Sequence, residues 1–248
     1  MMNGRVVLIT GGSRGIGAAT AKLLAKNGAA VGVNFLQSEV AAREVVDQIL
    51  SAGGKAIAVR ADVRDRAQVA AMVEHVKRKL GPIDTLVVNA SIGFPVKPFL
   101  EYAWDEFAAK LDGELQGAFH ACQAVLPMMI ERRSGCIVAV SSTLSRRSGP
   151  GFSAHSSAKS GLDGLMRSLA LELGPHGIRV NVVAPGLTDT DATAHQPAEM
   201  KQAVARMTPM QRNGVPDDVA GAVLLVASDH ARFVTGAYLP VSGGNVMP

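Results

Sequence analysis

RVVLITGGSRGIG, residues 5–17, decides how the chain is read. The apolar run Val6 to Ile9 passes directly into Thr10, Gly11, Gly12, Ser13, Arg14, Gly15, Ile16 and Gly17, and a helix-like stretch, GIGAATAKLLAKNG, opens inside the glycine cluster. One glycine permits the tight turn, another lets the backbone approach a pyrophosphate, and the last lets helix and strand pack closely. The helix N-terminus adds N–H donors and a favourable dipole. Glycines also end strands for purely structural reasons, but a cluster set between a first strand and a helix points to a dinucleotide-binding turn.

The same alternation continues outward. Short runs rich in Val, Ile and Ala at 5–10, 29–35, 55–61, 84–90, 135–142, 178–184 and 236–241 read as seven strands. Amphipathic stretches lie between them, including EVAAREVVDQILSAG and RAQVAAMVEHVKRKLG, each closed by a Gly suited to a helix C-terminus. Runs apolar on both faces mean strands covered on both sides, hence an α/β parallel sheet with right-handed helical crossovers. The 248 residues, 48% of them hydrophobic, suit one doubly wound domain spanning 1–248. Residues 186–215 break the rhythm between the sixth strand and the last helix, where a substrate lid would sit.

Composition excludes several classes. The net charge of +4 is spread along the chain and aromatics are 4%, so no nucleic-acid footprint is expected. No stretch reaches the ~20 apolar residues of a membrane span, and a cytoplasmic location is expected. Cys122 and Cys136 match no metal spacing and read as small buried hydrophobes. His75 and His120 read as ordinary helix residues and His195 as an exposed loop histidine.

A dinucleotide site predicts a ribose-sensing residue near the end of the second strand, where an acid favours NAD. Here the strand ends Val33-Asn34-Phe35-Leu36-Gln37-Ser38, with no acid before Glu39. An uncharged strand end around Asn34, with Arg14 in the turn, leaves room and charge for a 2′-phosphate, so NADP(H) is favoured. The alternative is a solvated surface arginine.

The spacing of Gly11, Gly15 and Gly17 after Thr10 resembles the short-chain dehydrogenase/reductase family, and further matches run the length of the chain. Asp62-Val63 resembles the pair that contacts adenine, and Asn89-Ala90-Ser91 a strand-end motif matched in part. Ser142 resembles the catalytic Ser, Lys159 the catalytic Lys, and Pro185-Gly186 with Thr188 and Thr190 the segment that holds the nicotinamide carboxamide. Ser242 stands where the family's closing Val-Asp-Gly-Gly has Asp. The pattern is closest to bacterial ketoacyl-carrier-protein reductases. It implies a Rossmann-type sheet in the order 3-2-1-4-5-6-7, a carbonyl substrate, free or bound to a carrier protein or CoA, and a homotetramer or homodimer.

Two positions depart from that pattern. The residue four before Lys159, where the resemblance implies a Tyr that gives its proton to the carbonyl oxygen, is His155; the only tyrosines, Tyr102 and Tyr238, lie elsewhere. Counting ten residues on from Trp104 to the position of a catalytic Asn reaches Glu114. Imidazole can replace phenol as proton donor, because its ordinary pKa of ~6.5 suits acid/base work near neutrality. Lys159, one helical turn away, opposes the charged form; Glu114 would stabilise imidazolium or else pair with Lys159. Loss of acid catalysis with NADPH still bound, and a different reaction with His155 as base, are the competing readings.

Ile92, Phe94, Phe152, Leu187, Met200 and Met207 are expected either to line a largely apolar substrate pocket or to be plain packing residues. Arg132 and Arg133 resemble in position a basic patch for an acidic carrier protein, and equally suit a helix C-terminus. Arg146 and Arg147 lie near the mouth, to meet a substrate anion or be solvated.

Overall fold

The computed structural model describes residues 1–194 and 196–247; His195 and Pro248 lie outside the described residues. Seven parallel strands form one sheet in the order β3-β2-β1-β4-β5-β6-β7. They are β1 Val6–Ile9, β2 Ala30–Phe35, β3 Lys55–Arg60, β4 Thr85–Val88, β5 Gly135–Val140, β6 Ile178–Pro185 and β7 Tyr238–Val241. The helices are α1 Gly15–Lys26, α2 Glu39–Ser51, α3 Arg66–Leu80, α4 Trp104–Glu131, α5 Ser153–Leu173, α6 Ala198–Met207 and α7 Pro216–Ala227.

The period-two alternation of β1 shows why its run is apolar throughout. Val6 and Leu8 enter a core shared with α3, α4 and α5, whereas Val7 and Ile9 enter a second core shared with α1, α2 and α7. Cys122 sits in the first core and Cys136 in the second, both free and buried.

β4 ends at Val88, two residues before the expected end. The chain leaves the ladder there because Asn89 turns to the glycine loop: its N–H donates to Thr10 Oγ1 (2.9 Å), and its Nδ2 to the carbonyls of Thr10 (3.0 Å) and Gly11 (2.9 Å). The 186–215 segment carries a short 3-10 turn, Asp191–Thr193, and then α6, none of whose residues is fully buried. This segment covers the carboxyl ends of β5 and β6, where functional groups collect in open α/β sheets.

Candidate active site

The turn between β1 and α1 leaves no room for side chains. A Cβ on Gly17 would stand 2.3 Å from the Gly11 carbonyl oxygen and 2.6 Å from Asn89 Nδ2, and Gly11, at φ +61°, has Ala90 Cα 2.9 Å from where its Cβ would be. The first turn of α1 has no side-chain cap, and Gly15, Ile16 and Gly17 border the cavity described next. A close backbone approach with unspent N–H donors fits a phosphate-bearing dinucleotide.

A cavity of about 790 Å³ runs from this helix end along the carboxyl edge of the sheet. Arg14, Asn89, Ser142, His155, Lys159, Pro185, Gly186, Thr188 and Thr190 all border it, as do all six apolar residues expected of a substrate pocket. Gly11, Ser13, Asn34, Asp62, Val63, Ala90 and Glu114 lie outside its lining. Asn34 is a pillar beneath the turn: it is buried, its Oδ1 accepts from the Gly11 N–H at 3.1 Å, and its Nδ2 donates to the Ala61 carbonyl at 3.0 Å. Asp62 is paired with Arg64 at 2.6 Å. Arg14 remains 60% exposed and only 3.9 Å from Asp191 Oδ2, a loose contact at the cavity rim.

At the reacting end, Ser142 Oγ accepts from the Leu144 N–H at 3.2 Å, which leaves its own hydrogen free to donate. His155 projects from the first turns of α5 and stacks on Phe94 with ring centroids 4.7 Å apart and planes 19° apart. Among the described residues its buried Nδ1 has no partner, so Nε2 is the ring nitrogen that reaches the cavity. One turn along α5, the buried Lys159 ammonium donates to the Val140 carbonyl at 2.8 Å and meets Glu114 Oε1 at 2.6 Å.

The structure resolves the partner of Glu114 against His155. Both carboxylate oxygens are occupied by ammonium groups: Lys159 on Oε1 and Lys110 on Oε2 at 2.5 Å, with Ser91 Oγ at 3.2 Å from Oε2. Burial works against the Glu114 charge, but the two lysines outweigh it and hold its pKa at about 2. Its charge is therefore spent mainly on the lysines, and its remaining pull on His155 is too weak to keep the ring charged. Burial first, then Lys159 and Lys110, push His155 down from 6.5 to about 3 against the weaker opposing pull of Glu114, so the imidazole is neutral at pH 7.

Lys110 is a buried member of this array that the sequence reading did not single out. The i, i+4 spacing to Glu114 was the available signal, but that spacing is what exposed helical ion pairs also look like.

Neither tyrosine borders the cavity. Tyr102 donates to the Pro95 carbonyl, and Tyr238 donates to the Ser142 carbonyl at 3.2 Å, with the Arg146 guanidinium over its ring at 3.6 Å. Arg147 borders the cavity and donates to the Asn245 carbonyl at 2.6 Å. Arg132 and Arg133 lie between α4 and the start of β5, at the sheet edge away from the cavity. There Arg132 donates to the Ile83 carbonyl and pairs with Asp84, and Arg133 donates to the Pro175 carbonyl. Among the described residues no helix is long and apolar enough to cross a membrane, and no group of three His, Cys, Asp or Glu is placed to hold a metal ion.

The glycine turn, the uncapped helix and the Ser142–His155–Lys159 edge share one cavity, and a family model described as enoyl-(acyl carrier protein) reductase matches residues 11–245. The chain belongs to the short-chain dehydrogenase/reductase family. Two curated relatives are similar over nearly their whole lengths. A 3-oxoacyl-[acyl-carrier-protein] reductase from Synechocystis sp. is 38% identical over 247 residues (99% of this chain, 98% of the relative). Cis-4-hydroxycyclohexanecarboxylate dehydrogenase from Sinomonas cyclohexanicum is 40% identical over 240 residues (97% and 96%). The crystal structure of levodione reductase superposes with a TM-score of 0.94 at 32% identity, covering 98% of each chain. A short-chain dehydrogenase/reductase is an oxidoreductase, and the cavity edge holding Ser142, His155 and Lys159 is where its chemistry is sought.

Proposed function

We propose that the chain is an NADP(H)-dependent oxidoreductase that reduces a ketone on a largely apolar or carrier-bound acyl or polyketide-like substrate, with His155 at the carbonyl oxygen. One observation carries this reading: Ser142, His155 and Lys159 meet the apolar pocket residues in the same cavity as the open end of α1. The 3-oxoacyl reductase relative supports an acyl ketone, and the cyclohexane-ring relative with levodione reductase a ring ketone. Arg14, Gly15, Ile16, Gly17, Asn89, Lys159, Pro185, Gly186, Thr188 and Thr190 would hold the dinucleotide, with Gly11, Ser13, Asn34, Asp62, Val63 and Ala90 shaping or flanking its bed. Bound nicotinamide supplies the hydride.

Ser142 Oγ and the Nε2–H of neutral His155 donate hydrogen bonds to the carbonyl oxygen. The charges of Lys159 and Lys110, set against the one of Glu114, favour the negative charge growing there. For His155 to give up a proton outright it must be imidazolium. With a pKa of about 3, that form is ~10⁻⁴ of the population at pH 7. Turnover that uses it rises about tenfold for each pH unit toward acid.

The test is NADPH oxidation over a ketone panel between about pH 5 and 8, with wild type and His155→Ala. A rate that rises toward acid and falls in His155→Ala is expected; full activity in His155→Ala ends the proton-donor role. A second reading, an NADP(H)-binding protein without turnover, is favoured by the same neutral ring and its unpaired Nδ1. It predicts NADPH binding with no oxidation, and activity gained in His155→Tyr. A homodimer or homotetramer is also proposed, supported by the exposed Leu171 on α5 and Phe119 on α4 and tested by light scattering.

A further inference from the structure

The proposed chemistry uses Ser142, His155 and Lys159 and leaves a second buried lysine unexplained. Lys110 is 0% exposed, sits one turn before Glu114 on α4, and does not border the cavity. Its ammonium has three partners: the Ile92 carbonyl at 2.8 Å, Ser91 Oγ at 3.0 Å and Glu114 Oε2 at 2.5 Å. A well-packed apolar residue would stabilise such a site as well or better, so a buried lysine calls for another account.

We propose that Lys110 is a positioning residue of the site: it clamps the 91–94 segment beneath His155 and completes a Lys–Glu–Lys array that carries one net positive charge. The inference rests on reading Ser142, His155 and Lys159 as the reacting edge, although its main readout requires no turnover.

Two lines of geometry support it. Residues 89–98 form no regular secondary structure, and Lys110 and Glu114 hold the backbone there, Lys110 taking the Ile92 carbonyl and Glu114 Oε2 lying 3.4 Å from the Ile92 N–H. Two residues on, the Phe94 ring has the Lys110 ammonium 5.1 Å from its centroid and the imidazole of His155 stacked on it at 4.7 Å. Lys110 thus fixes the wall against which His155 rests.

The second line is the count of charges. Glu114 alone would cancel Lys159; with Lys110 the array sums to one cation. The groups facing His155 are Lys159 from α5, Lys110 and Glu114 from α4, the uncharged Ser91 and Phe94 from the segment after β4, and the uncharged Ser142 after β5. At the rim, Arg212 is paired with Asp218 and Arg147 with the Asn245 carbonyl. Lys110 lowers the pKa of His155 and Glu114 raises it, in keeping with this count.

Four variants of the full chain separate the charge from the clamp: Lys110→Met, Lys110→Gln, Glu114→Gln, and Lys110→Met with Glu114→Gln. With Lys110 protonated their arrays sum to zero, zero, two and one, and loss of the Lys110 proton in Glu114→Gln brings that sum to one. The probe is the imidazole titration of His155, followed by NMR on ¹³C-histidine-labelled protein without cofactor and assigned with His155→Asn. In wild type the His155 resonance is expected to hold its neutral position down to about pH 4 while exposed histidines titrate near their ordinary value. Lys110→Met and Lys110→Gln are expected to raise the midpoint, Glu114→Gln to leave it no higher than wild type, and the double variant to bring it back toward wild type. Lys110→Gln keeps a hydrogen-bonding end for Ile92, so it reads the charge even if Lys110→Met does not fold.

A purely structural lysine would lower thermal stability without ordering the midpoints by charge. The proposal is overturned if folded Lys110→Gln titrates with wild type. Absence of ketone reduction alongside charge-ordered midpoints would sink the proposed function and leave this inference standing; reduction alongside unmoved midpoints would do the reverse.

Discussion

Replacing Glu114 by Gln removes the only negative charge between two buried ammonium groups, and its cost follows from the site. The Glu114 pKa falls from 4.5 to about 2 in the folded chain, because Lys159 and Lys110 outweigh burial. That displacement corresponds to ~3 kcal/mol of stability. The sign is that of a depressed carboxylate: the contribution is complete above the unfolded value of 4.5 and is lost as pH falls from 4.5 through about 2. At pH 7 Glu114→Gln should therefore lose ~3 kcal/mol, the low end of the 3–5 kcal/mol typical when one partner of a buried pair is removed.

Lys110 limits the loss. Burial already brings its pKa down to about 8, so without Glu114 it sheds its proton instead of remaining as an uncompensated charge. A lysine depressed in the folded state makes stability rise with pH, since the unfolded chain then binds more protons. In a chain of 248 residues, ~3 kcal/mol lowers Tm by roughly 6–12 °C. Thermal unfolding by circular dichroism from about pH 3 to 9 reads both effects. Glu114→Gln should be least stable relative to wild type near neutrality, lose less than wild type below about pH 4.5, and recover above about pH 7. Glu106→Gln at the more exposed Lys97 pair is the control, with little loss expected because solvent screens the pair. A Tm for Glu114→Gln within about 2 °C of wild type at pH 7 would refute the buried array.

Other outcomes follow from single contacts. Arg14→Ala should weaken NADPH about tenfold in a fluorescence titration, the low end for a charge-assisted contact because the side chain is 60% exposed, and leave NADH affinity nearly unchanged; equal losses for both would remove Arg14 from the 2′-phosphate. Gly17→Ala forces a Cβ to within 2.3 Å of the Gly11 carbonyl oxygen and should cost about 1–3 kcal/mol together with cofactor binding, checked by thermal shift with and without NADPH. Cys122 is pushed up to about 12 and Cys136 is raised as well, both by burial, so Ellman's reagent should find no thiol in the folded chain and both after denaturation. His155 drops from 6.5 to about 3; a histidine lowered in the fold gives stability present above 6.5 and lost toward 3, so His155→Asn should flatten the stability curve between about pH 6.5 and 4.5, above the Glu114 window.

The strands and the phosphate turn are legible in the sequence because their signals are local: short apolar runs and glycines where backbone meets backbone. The six apolar cavity residues are legible too, since they fall in the segments that follow the carboxyl ends of β4, β5 and β6, Met200 and Met207 on α6. Asn34 shows where such reading stops. Its place at the end of β2 suggests a ribose contact, but Val31, Val33 and Phe35 share the core face with α1 and α2, so Asn34 points to the other face. There it reaches Gly11 and Ala61 across β1 and β3. Lys110 is hidden for a related reason. That face of α4 is buried by the segment after β4 and by α5, neither of which is a sequence neighbour.

The departure at Glu114 reads differently once Lys110 is counted. In the sequence, a carboxylate near a histidine suggests a compensation between those two residues, with the acid keeping the imidazole charged. In the fold, the compensation runs along α4 itself, from Glu114 to Lys110, and the pair adds no net charge beside Lys159. The reacting edge therefore keeps the single positive charge that Lys159 alone would give it. A carbonyl oxygen that gains negative charge as hydride arrives needs such a potential, whether its proton comes from a phenol, an imidazolium or water. Exchanging the donor at position 155 leaves that requirement untouched. The Lys–Glu–Lys array holds Lys159 in place between Glu114 and the Val140 carbonyl, so in the proposed reaction electrostatic stabilisation persists under a neutral imidazole that donates hydrogen bonds well and protons poorly.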